Sequence, residues 1–231
     1  MTLATAVADH ARASFRAFAT FLFFAAIPAA WSAQAGKVEA LGALTDASVP
    51  QPIRQALAPK GYRIALDATG PVIELWYCKD VPTQPKGAST DALYVQLTPS
   101  TLIGVAHFTA AASDYRAQSV PPGFYTLRYA LMPNDGNHLG VAPSRDFLLL
   151  VPAAADPGPE AAPKFQDLVA LSRQASGTKH PAPMSLVPAE SVTASAVTKD
   201  DEGHSIFTTS VHLASGEEVP IALVVRGTAP Q

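Results

Sequence analysis

Two strand signatures separated by a long polar loop constrain this chain most. Phe124 to Leu131 (FYTLRYAL) alternates aromatic or apolar residues with polar ones, the composition of a strand and not a helix. A pleated strand puts Tyr125, Leu127, Tyr129 and Leu131 on one face and Phe124, Thr126 and Arg128 on the other. Pro121-Pro122-Gly123 turns the chain sharply into it, because proline fixes φ and glycine permits positive values. Asp146 to Val151 (DFLLLV) is an unbroken apolar run of strand length ended by Pro152, which predicts a strand buried on both faces. The connection from Met132 to Arg145 is too long for a tight hairpin. Long loops carried by rigid strands are where binding groups concentrate.

That loop and its strand ends hold the candidate ligand-binding residues Asp135, Asn137 and His138, with Arg128, Arg145 and Asp146 beside them. Imidazole and carboxylate are suited to acid–base work or metal ligation, and arginine to orienting an anion. The competing structural reading is Asx-turns at Asp135 and Asn137, and pairing of Arg128 or Arg145 with Asp146. No metal or cofactor is called for. The histidines lack H-x-H or H-x-x-x-H spacing, and no zincin, zinc-ribbon, GxSxG, phosphate-loop or dinucleotide fingerprint is present. No catalytic residue can therefore be named. His107, inside VAHF, reads as a hydrogen-bonded core or half-exposed histidine. Asp114-Tyr115-Arg116 reads as an exposed polar loop, and Trp76 as core.

The start of the chain resembles a secretory signal. His10, Arg12 and Arg16 precede an apolar run from Ala17 to Trp31, and Ala33-Gln34-Ala35 fits an A-x-A cleavage site. The run is shorter than the roughly 20 residues that span a bilayer. Contact with a membrane is expected only through this segment if it is not cleaved. The expected location is periplasmic or extracellular. Removing residues 1–35 takes Arg12, Arg16 and Asp9 from 16 basic and 19 acidic groups, leaving 14 and 18. With no basic run, nucleic-acid binding is not supported. Charged residues are 15% of the chain, below the roughly 25% of an average globular protein. Cys78 is the only cysteine, so no intramolecular disulfide can form.

The remaining pattern predicts an antiparallel, mainly β fold, a β-sandwich with one or two short peripheral helices. A short helix is expected over 50–61, with Gly61 just past its end. Strands are expected at Tyr62–Leu66, Val72–Cys78 (a hairpin), Leu93–Leu97 and Thr101–Phe108. Residues 36–48 read as an irregular lead-in, 153–163 as linker-like, and Lys164–Ser176 as a surface helix capped by Gly177. Residues 178–188, with three prolines, read as extended and irregular. Strands at Ser205–Leu213 and Val219–Val225 are expected to pack back on the first sheet. The domain division is thus a signal at 1–35, a core at 36–152, the linker-like 153–163, and a helix with strands at 164–231 on the same domain.

The motif Pro122-Gly123-x-Tyr125-Thr126-Leu127 resembles a strand opening of secreted immunoglobulin-like and prealbumin-like sandwiches. Ile73 to Trp76, Tyr125 to Tyr129, Asp135 to His138 and Asp146 to Leu150 together resemble a group of uncharacterised exported bacterial proteins. The resemblance implies a sandwich and an envelope location, and it brings no activity. The expectation is a non-enzymatic binding or structural module of the envelope, with a protein or small molecule as partner. The alternative is a hydrolase or metal-dependent enzyme with its site on the Asp135–His138 loop.

Overall fold

The computed structural model describes residues 36–67, 72–84, 92–133 and 144–229. Its strands are β1 (Lys37–Leu41), β2 (Gly61–Ala65), β3 (Val72–Tyr77), β4 (Leu102–Phe108), β5 (Ala112–Ser113), β6 (Ser119–Val120), β7 (Gly123–Leu131), β8 (Asp146–Pro152), β9 (Pro183–Val187), β10 (Ala196–Lys199), β11 (Ser205–His212) and β12 (Glu218–Arg226). Two helices, α1 (Gln51–Ala56) and α2 (Phe165–Ser176), accompany them.

The mainly β, antiparallel expectation holds. Ten strands form one continuous sheet in the order β1-β2-β3-β4-β7-β8-β9-β12-β11-β10, and β5 and β6 form a separate small hairpin. The sheet curls until its ends approach. Tyr62 of β2 lies against Phe207 of β11, with ring centroids 5.2 Å apart, and its hydroxyl is 3.1 Å from Thr209 Oγ1. The inward face of every long strand feeds one apolar core, including Ile64, Leu75, Val105, Leu127, Leu148, Leu186, Phe207 and Leu223. Ile53 of α1 joins that core.

β7 and β8 pair from Tyr125↔Pro152 to Leu131↔Asp146. Tyr125, Leu127 and Tyr129 point into the core, as do Leu148 and Leu150. The opposite faces of β8 and β7 are also covered: Leu149, Val151 and Ala130 pack under Leu168 and Val169 of α2. The strand buried on both faces is therefore real, and α2 supplies the second cover. Gly177, at φ 65°, ends α2 and donates its N–H to the Arg173 carbonyl.

Several segments differ from expectation. Residues 37–41 are a strand, the sheet edge, and the charged Lys37–Glu39 pair guards it. Residues 93–97 are not a strand. The N–H groups of Leu93 and Tyr94 donate to the Asp146 carboxylate at 2.9 and 3.1 Å, so a side chain takes the place of a ladder. α1 stops at Ala56, and Gly61 opens β2 instead of capping the helix; a Cβ there would lie 2.4 Å from the Trp76 indole nitrogen. Residues 183–187 form β9, which joins the two halves by pairing with β8 on one side and β12 on the other. Pro183 is tolerated because it is the first residue of the strand.

Residues 153–163 begin with a turn of 3-10 helix and then wrap the outer face of β7. Arg128, with no exposed side-chain surface, holds them there. Its Nε and Nη2 donate to the two Asp156 carboxylate oxygens at 2.7 Å. Nη2 also donates to the Gly158 carbonyl at 2.6 Å, and Nη1 to the carbonyls of Ser100 and Ala161, both at 2.7 Å. All five guanidinium N–H donors are thereby used.

Candidate functional site

Asp135, Asn137 and His138 lie outside the described residues. Arg128 and Asp146 do not share a site, because they sit on opposite faces of the sheet. Arg128 faces outward and pairs with Asp156, not with Asp146. Asp146 faces the core side with Tyr129, whose hydroxyl donates to it at 2.6 Å. Burial, and then that carboxylate, push the Tyr129 phenol far above its ordinary pKa. Arg145 donates from Nε to the Met132 carbonyl at 2.8 Å. Each described member of the expected cluster is thus tied to the protein.

The other polar groupings are tied in the same way. His107 stacks on Phe124 at 4.0 Å between centroids, and its Nδ1 lies 2.9 Å from Glu74, which also accepts from Arg63. Burial opposes charge on Glu74, but the His107 and Arg63 hydrogen bonds outweigh it and hold the carboxyl below its usual range. Burial pushes the Cys78 thiol up to about 12, too high for a nucleophile.

Among the described residues one group brings metal-ligand atoms together: Asp200, Glu202 and His204, in the turn between β10 and β11. His204 is buried, its Nδ1 lies 2.8 Å from Asp200 Oδ2, and its Nε2 lies 3.1 Å from the Thr228 carbonyl. With a carboxylate and a carbonyl on its two nitrogens, the ring is placed to donate from both as an imidazolium. Burial disfavours the charge, but the Asp200 hydrogen bond, the Thr228 carbonyl and the Asp200 and Glu202 charges raise its pKa. This is a structural knot fastening the C-terminal tail.

A cavity of about 530 Å³ lies on the outer face of β7 and β8. It opens where two outer apolar clusters fail to meet: one under α2, the other formed by Phe147, Tyr115, Met132 and Ala229. Ala130, Leu149, Phe165 and Val169 make its floor and one wall. Arg116, Arg173, Lys179 and His180 reach it from three separate segments, and among the described residues no carboxylate lines it.

The loop carrying Arg116 is built tightly. Asp114 is buried, and its carboxylate accepts from the N–H groups of Arg116 and Gln118, both at 2.9 Å, and from Gln118 Nε2 at 2.6 Å. Burial pushes its carboxyl upward against those bonds. Gln118 Nε2 also donates to the Pro181 carbonyl. Tyr115 donates its N–H to Pro183 and accepts from Ala229. Ala117, at φ 60°, occupies a left-handed conformation costing about 1–2 kcal/mol without glycine. The expectation of an exposed loop at 114–116 is thus corrected: Asp114 and Tyr115 are 2% and 3% exposed, and the loop is a wall of the cavity. Asp114 as an Asx-turn residue was the local signal for this order.

No family model, no curated protein and no solved structure matches this chain.

Proposed function

We propose that this chain is an exported, non-enzymatic module that binds a small organic ligand in the outer-face cavity. The observation that carries the reading is the cavity itself. Its volume falls within the roughly 300–1,000 Å³ of ordinary ligand sites, and it combines an apolar floor with a few convergent polar groups. Outside it, Glu74, His107, Asp146, His204 and the Cys78 thiol are engaged in structural bonds, which favours binding over catalysis. Its location on a rigid sheet and a capped helix suits a preformed site. We read the curled sheet, with halves facing across one core, as a flattened sandwich-like barrel. Export rests on the apolar run at 17–31 and the Ala33–Ala35 site, and the mature protein should begin at Gly36 on N-terminal sequencing. No helix among the described residues is long and apolar enough to cross a membrane.

The test is thermal unfolding against a panel of small organic molecules, with Val169→Trp, which fills the cavity from α2, alongside. A ligand at 100 times its Kd stabilises by about 2.7 kcal/mol. At about 2–4 °C per kcal/mol for a chain of this size, the midpoint should rise by about 5–11 °C in the natural protein and not in the variant. A rise of equal size in the folded variant would remove the cavity as the site.

A further inference from the structure

We propose that the cavity takes a single-chain amphipathic carboxylate of about eight to twelve carbons, its tail on the apolar floor and its head among the rim cations. This rests on the reading of the cavity as a ligand site and names what occupies it.

Charge comes first. The chain carries a net formal charge of −3, yet among the described residues the cavity lining holds two arginines, a lysine and a histidine with no acidic residue. Among the described residues the side chains of Arg116, Arg173 and Lys179 form no ion pair. Three separate segments deliver these cations: the β5–β6 loop, the last turn of α2, and the turn after Gly177. Gathering like charges around one opening is unfavourable unless an anion enters it. Guanidinium groups suit an oxyanion because their planar N–H fork matches two oxygens.

The apolar part selects among anions. Ala130, Leu149, Phe165 and Val169 of one apolar cluster and Met132 of the other lie in the lining, an apolar surface that an inorganic anion leaves wet. A neutral hydrocarbon covers the floor and leaves the cations unused. Only a molecule with both parts satisfies the whole lining. At about 30 Å³ per heavy atom, the volume of a water in liquid, eight to twelve carbons and a carboxylate fill about 60–80% of the space.

The order of the walls supports a preformed site. Thr178 Oγ1 donates to Gln118 Oε1, and Gln118 reaches Pro181, so two of the cation-bearing segments are bonded to each other. Ser176 Oγ donates to the His180 carbonyl at 2.6 Å, fixing the same turn to the end of α2.

Calorimetric titration of the full chain with octanoate, decanoate, dodecanoate and decanol tests the proposal. Affinity should rise about fourfold per added methylene, and decanoate should bind at least tenfold more tightly than decanol. The double variant Arg173→Gln/Lys179→Gln, whose altered side chains make no described hydrogen bond, should bring decanoate down to the level of decanol and leave decanol unchanged. Decanol binding as tightly as decanoate would overturn the ligand class while keeping the site. No binding of either, with Val169→Trp also without effect on any probe, would remove both. Sedimentation with phosphatidylglycerol vesicles but no uptake of free decanoate would replace the proposal with a membrane-surface role.

Discussion

Replacing Asp156 by asparagine keeps the shape of the side chain and removes its charge, which isolates what that charge does for Arg128. The pair has no exposed side-chain surface on either partner, so solvent cannot screen or replace it. The carboxylate also accepts from Thr126 Oγ1 and from the Gly158 N–H. In the variant one of the two oxygens becomes an NH2 that cannot accept from the guanidinium, and the arginine is left charged in a dry site without its counter-ion. Breaking a buried pair from one side costs about 3–5 kcal/mol. Against a total stability of about 5–15 kcal/mol that is a large fraction, and it corresponds to a fall in Tm of about 6–20 °C. The exposed pair Arg226–Asp67, at 2.9 Å and nearly half exposed on both sides, is the internal control. Arg226→Gln should cost no more than about 1 kcal/mol. Thermal unfolding gives both numbers, and limited proteolysis should cut the variant within 157–163 first. If Asp156→Asn lowers Tm by no more than Arg226→Gln does, the clamp does not hold the outer layer.

Three further outcomes follow from described contacts. His204 has a raised pKa, so the stability it adds is complete below its unfolded value near 6.5 and is lost as pH rises through the higher folded value. The Tm advantage of the natural chain over His204→Gln should be largest at about pH 5.5 and narrow above neutrality. Asp200, Glu202, Tyr115 and the Thr228 carbonyl are the groups facing the ring, and a gap that widens with pH would contradict their role. Cys78, with its thiol pushed up to about 12, should resist a disulfide-forming reagent at pH 8 in the native state and react fully in urea; rapid native labelling would show it accessible. A Cβ on Gly104 would lie 2.2 Å from the Trp76 carbonyl oxygen, whereas one on Gly42 meets nothing within 4 Å. Urea unfolding should show Gly104→Ala losing about 1–3 kcal/mol and Gly42→Ala little; equal losses would be against it.

β7, β8 and α2 were legible because each carries its periodicity and its stop signals within one short window: Pro121–Gly123, Pro152 and Gly177. The β2–β3 hairpin was legible for the same reason. β9 was hidden because Pro183 at its start and Pro188 just past its end read as irregular chain, while its partners, β8 and β12, lie far away in sequence. Residues 93–97 look like a strand, and only the distant Asp146 makes them otherwise. The linker-like composition of 153–163 says nothing of Arg128, which faces it from another strand. The cavity was the least legible part. Arg116, Arg173 and Lys179 are unremarkable one by one, and only the fold brings them to one opening. Of the loop at 132–145, Met132 and Pro133 line the cavity, and residues 134–143 lie outside the described residues.

The curl of the sheet has a kinetic consequence. Tyr62 and Thr209, which meet across it, are 147 residues apart, so the first strands keep an open edge until nearly the whole chain is available. Such remote pairing makes for slow folding. A chain that emerges from a narrow passage amino end first would thus hold back its final structure, and would need its exposed edges shielded while it waits.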